Sequence, residues 1–145
     1  MVCTMLLIVS CTQQHIVLGE KVTLDCIQQS SYGTIPSNLY AMDSIIYTDE
    51  YSPFTKKFTV CGITLIARED VSDIFMMRVG KTISEMFLIY DVTDTVKQKK
   101  LLKNLYKYST VIPLFYGENW GFHPNEESEW DELNNKYSIC DIIME

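Results

Sequence analysis

Apolar positions recur at three- and four-residue steps from Asp70 to Tyr90 (DVSDIFMMRVGKTISEMFLIY). Val71, Ile74, Phe75, Val79, Ile83, Met86, Phe87 and Tyr90 therefore fall on one side of a helix. Arg78, Lys81 and Glu85 fall largely elsewhere, so the stretch predicts a core helix. Asp70 can cap its first free N–H groups, and Asp91 follows the last periodic residue. Gly80, in mid-pattern, costs about 1 kcal/mol against alanine and points to a close approach by a neighbouring element.

The remaining pattern is shorter-ranged. Val22, Leu24 and Cys26 alternate with polar residues in Lys21 to Ile27, as in a half-buried strand. After the turn cluster SSYGTIP, Ser37 or Asn38 can cap a short helix carrying Leu39, Met42, Ile45 and Ile46, and Asp49 to Lys57 reads as a loop. Phe58 to Ala67 predicts one long strand bulged at Gly62, because two hairpin arms of about four residues would be marginal alone. Thr93 or Asp94 caps a helix with a stripe of Val96, Leu101, Leu102, Leu105 and Tyr108. Thr110 to Tyr116 is a strand in which Pro113, lacking an N–H, favours an edge position or a bulge. Asn125 caps a last helix with Trp130, Leu133 and Tyr137 inward, and Ile139 to Met144 is a final strand.

The expected fold is a single α+β domain, a small mixed sheet of about four strands packed against about four helices in the order βαβααβαβ. Strands are expected near 22–27, 58–67, 110–116 and 139–144, and helices near 37–48, 70–90, 94–108 and 125–137. The two consecutive helices should pack nearly antiparallel across their short link.

Composition changes this picture little, and charge somewhat more. At 145 residues and 47% hydrophobic the chain can close one core. The net charge of −7 is concentrated at one end: residues 1–117 carry eleven basic and eleven acidic side chains, and residues 118–145 carry eight acids against Lys136. That argues against nucleic acid as a partner. Lys97, Lys99, Lys100, Lys103 and Lys107 form the one basic cluster and read as a solvated helix face. Five cysteines without a C-x-x-C pair and two histidines are a poor zinc inventory, so no metal site or cofactor is expected. Cys26, Cys61 and Cys140 lie in apolar runs and read as small buried hydrophobes.

The apolar run Val2 to Val9 is far short of the roughly 20 residues a membrane-crossing helix needs. Ile8-Val9-Ser10-Cys11 resembles a bacterial lipoprotein signal, which would make residues 1–19 a leader before a domain at 20–145. That resemblance implies lipidation of Cys11, which is the expected route to membrane attachment. No basic residue precedes the run, which favours a cytoplasmic chain over an exported or lipid-anchored one. GEKVTLDC is similar to the second strand of an immunoglobulin domain, but the first tryptophan is Trp120 and the intervening pattern is helical, which excludes that fold.

No phosphate-cradling loop, nucleophile elbow or paired-histidine helix is present. The residues best placed for binding are Tyr116, Glu118, Trp120, Phe122 and His123, aromatics and acids in a loop between Gly117 and Pro124 that could stack on a sugar or clamp a peptide. The resulting expectation is a non-enzymatic binding or protein-interaction domain whose partner is a protein or a small ligand. The alternative is the N-terminal part of a larger hydrolytic enzyme, metal-dependent and with its catalytic residues beyond residue 145.

Overall fold

Phe54, Lys56, Phe58 and Val60 are all buried, a two-residue period that begins well before Phe58 and makes Phe54–Val60 a strand rather than the end of a loop. The computed structural model describes residues 33–117, 126–139 and 142–145. Within them the chain forms β1 (Ile46–Tyr51), β2 (Phe54–Val60), β3 (Ile63–Ala67), α1 (Asp73–Met86), α2 (Thr95–Lys107), β4 (Thr110–Phe115), α3 (Glu127–Lys136), β5 (Ser138–Ile139) and β6 (Ile143–Met144). One sheet runs β1-β2-β3-β4-β5, with β6 also on β4. The first three strands are an antiparallel meander, while β3, β4 and the short pair β5 and β6 are parallel.

This is a mixed α and β single-sheet fold, with six strands and three helices among the described residues. The expected class holds, but the count and order differ. The predicted helix at 37–48 is not formed. Asn38 Oδ1 accepts from the Tyr40 N–H in a local turn, and Ile46 and Tyr47 pair with Lys57 and Lys56 across a hairpin, so strand pairing overrides the helical spacing. The single bulged strand at 58–67 is two strands. Cys61 and Gly62 both adopt positive φ (51° and 84°), which suits the tight connection between right-handed twisted strands. The arms are not marginal, because β1 flanks one and β4 the other. The final strand is split into β5 and β6. Pro113 is central rather than on an edge. It registers with Ile66 of β3, while on the other side β5 pairs with Thr110 and Val111 and β6 with Leu114 and Phe115, so it falls where that ladder is already interrupted. The strand predicted at 22–27 lies outside the described residues.

The sheet is covered on two faces. One core joins Phe58, Val60, Leu65, Ala67 and Leu114 to Met76, Ile83 and Leu102 of α1 and α2. The other joins Tyr51, Phe54, Ile66, Val111 and Phe115 to Leu133 and Tyr137 beside α3. There Phe54 meets Phe115 edge-on at 5.5 Å and Tyr51 stacks on Tyr137 at 4.8 Å.

The core helix sits differently from its sequence periodicity. Its cap is Ser72, whose Oγ accepts from the Phe75 N–H at 3.1 Å, and not Asp70. Met76, Gly80 and Ile83 are buried, whereas Ile74, Met86 and Tyr90, which the periodicity assigns to the core, are exposed, Ile74 to 65%. Gly80 explains the rotation. A Cβ built there would lie 2.1 Å from Phe58 Cε1, so the helix seats its bare backbone on the ring and turns Ile74 and Met77 outward. In α2, Val96 and Leu101 are likewise exposed and Leu102 is the buried residue.

Candidate functional site

That rotation leaves an opening. α1 packs over β2 and β3, so the segment leading into β1 stands apart from the helix. Met42, Asp43, Ser44 and Ile45 form one wall of a groove, Ile74, Met77, Arg78 and Lys81 of α1 form the other, and Phe58 is the floor. The groove encloses about 610 Å³, the size of a small-ligand or peptide site. Its lining is predominantly apolar, with Asp43 on the strand side and, on the helix side, Arg78, Lys81 and Asp73, the last paired with Lys56.

The first wall is continuous with an open sheet edge. Met42 bridges to Val60, the Asp43 N–H donates to the Thr59 carbonyl, and the Cys61 N–H donates to the Ala41 carbonyl, so the chain from residue 41 lies along β2 before β1 begins. Among the described residues β1 pairs with β2 alone, and its other edge carries no strand. Ile46 and Tyr47 are exposed there, beside Met42, Ile74 and Met77. Two methionines in such a lining suit irregular apolar partners, since thioether chains repack at little cost.

One end of the groove is braced by a buried cation. Lys56, 3% exposed, donates from Nζ to the Val71 carbonyl and to Asp73 Oδ1 at 2.9 Å, and its ammonium lies 5.7 Å from the centre of the Tyr47 ring. Burial without these acceptors would be prohibitive, so the pair ties β2 to the first turn of α1. Beside it Glu145 accepts from both the Ser72 N–H at 2.8 Å and the Ser72 hydroxyl, and these bonds hold its carboxyl below the usual range. β6 is thereby fastened to the same helix start.

The residues singled out from sequence are placed unevenly. Tyr116 is exposed at the end of β4. Glu118, Trp120, Phe122, His123 and Cys11 lie outside the described residues. Cys61 is fully buried, and burial pushes its thiol up. No group of three or more His, Cys, Asp or Glu side chains able to hold a metal ion occurs among the described residues, and no helix there is long and apolar enough to cross a membrane. Sequence reasoning missed the groove and Lys56. The signal for Lys56 was the alternation Lys56, Phe58, Val60, which puts a lysine in register with two buried residues of one face. The groove had none, because its walls are distant in sequence.

No protein-family model, curated protein or solved structure matches this chain.

Proposed function

We propose that this chain is a non-enzymatic protein-interaction domain that takes an extended apolar segment of a partner protein along the free edge of β1. The observation carrying this reading is the continuity of a strand edge, unpaired among the described residues, with an apolar groove beside a helix. An added strand draws affinity from main-chain hydrogen bonds to the edge and specificity from alternate side chains entering the groove. Charge complementarity defines the segment further. Arg78 makes no ion pair with any described residue, and Lys81 holds Glu85 only at 3.8 Å, so an acidic side chain flanking the apolar positions would find both cations. Tyr116, from the loop singled out by sequence, would be a contact outside the groove.

The test is selection of a random peptide library displayed on phage against the purified chain. Enriched peptides should alternate apolar residues and carry an acid, and their binding should fall at least tenfold in Met77→Asp, whose site is exposed and whose fold should be intact by circular dichroism. Thr48→Pro, which puts a ring on the edge strand, should weaken the same peptides. Failure to enrich any peptide, or peptides indifferent to both substitutions, would reject the reading.

A further inference from the structure

Helix α2 turns one side largely to solvent, and the charges on that side are all basic. Val96, Lys99, Lys103 and Lys107 follow one another at three- and four-residue steps, with Lys100 beside them, on a side turned away from the buried Leu102. Lys99, Lys100 and Lys103 are exposed and make no ion pair with any described residue, while Lys107 stacks over Tyr108 at 4.9 Å. The neighbouring Lys97 is occupied by Asp94 at 3.0 Å.

The stripe ends in an apolar knuckle. Between α1 and α2 the chain turns through Leu88, Ile89, Tyr90 and Val92, all exposed, Val92 to 95%, and Val96 continues the patch onto the helix at 77%. The turn is held from within. The Tyr90 N–H donates to Thr93 Oγ1 at 2.9 Å, and Gln98 Nε2 donates to the Phe87 carbonyl at 3.2 Å. So many apolar side chains displayed together on a pinned turn mark a contact surface rather than scattered exposure.

We infer that this face docks on an anionic lipid membrane, the knuckle entering the interfacial region and the lysines facing the headgroups. Apolar insertion and a polybasic patch are the two signals that together hold a peripheral protein on such a surface. Lysines are compact point charges suited to a diffuse anionic layer, and the patch has no arginine fork of the kind that reads nucleic acid. Two carboxylates share the region. Asp94 is engaged as the α2 cap and with Lys97, which leaves Asp91 as the opposing charge. The chain's excess acid does not oppose this orientation. Glu127, Glu129, Asp131 and Glu132 belong to α3, across the sheet from α2, and the screening length is about 8 Å at physiological ionic strength. This surface is separate from the β1 groove and does not depend on it.

The experiment is co-sedimentation of the full, unacylated recombinant chain with vesicles, so that no lipid on Cys11 can contribute. Vesicles of phosphatidylcholine with about one third phosphatidylserine should bind the chain, phosphatidylcholine alone should not, and added salt should release it. Lys99→Glu with Lys103→Glu should reduce binding by well over tenfold, at roughly fivefold or more per charge removed. Val92→Asp, at a side chain that touches almost nothing, should reduce it severalfold without altering the fold. Absence of binding to the phosphatidylserine vesicles, or binding unchanged in the double lysine variant, overturns the inference. So does a Val92→Asp protein that binds as tightly as wild type while short RNA competes fully, because the stripe would then be a general polyanion patch.

Discussion

Gly80 and Phe58 decide how the largest helix sits, and they do so through one contact. Alanine at position 80 would recover about 1 kcal/mol of helix propensity, but it would force a methyl into a ring that is itself buried, and overpacking of this kind costs about 1–3 kcal/mol. Gly80→Ala should therefore be net destabilising in urea denaturation. In a Phe58→Leu background the same change should be neutral or stabilising; a loss of equal size in both backgrounds would remove Phe58 from the account. Tyr51 offers a second residue-scale check. Burial first, then Tyr137 and Glu50 beside it, push its phenol far above the ordinary tyrosine value of 10.0. The folded chain thus keeps a proton that the unfolded chain loses, so this contribution to stability is complete below pH 10.0 and declines as pH rises beyond it. A spectrophotometric titration of the native protein should show Tyr51 ionising only as the chain unfolds.

At the scale of elements, the start of α1 gathers more than a cap. Ser72 accepts from Phe75, its backbone and hydroxyl both hold Glu145, and Lys56 binds the Val71 carbonyl and Asp73. Ser72→Ala should lose about 1 kcal/mol as an N-cap and also remove one of the two bonds to Glu145, so amide exchange at Ile143 and Met144 should accelerate with it. Replacing Asp73 with alanine leaves a buried ammonium with a single carbonyl acceptor, whereas Lys56→Met removes the charge and keeps the volume. The first should destabilise more than the second in thermal melts, and the reverse order would mean that Lys56 is not desolvated as its burial implies.

The whole molecule is an unequal two-faced sheet. α1 and α2 cover one side and α3 covers part of the other, while β1 is the edge strand among the described residues. Hydrogen exchange should follow this layout. Amides of β3, flanked by β2 and β4, should be the slowest, and those of β1 should exchange by local opening well before them. Equal protection across both strands would indicate that the β1 edge is covered in solution, and with it the groove.

Local pattern was sufficient where an element's identity depends on its own residues. The helix capped by Asp94, the strand from Thr110, and the inward Leu133 and Tyr137 of the last helix were all legible, because capping and amphipathic spacing act within a few residues. Pattern failed where a distant partner decided. Ile45 and Ile46 carry helical spacing, yet the pairing of Ile46 with Lys57 makes them part of a strand region. Ile74 and Met86 share the periodicity of the core helix, yet the bare backbone of Gly80 against Phe58 rotates them into solvent. The mixed α and β class, the main helices and the charge imbalance follow from short-range spacing and composition alone. Only the tertiary structure decided which helical face is buried, that β1 is an edge, and that Met42 and Met77 line one groove. Each of those depends on a contact between segments far apart in the chain, and no local free energy contains it.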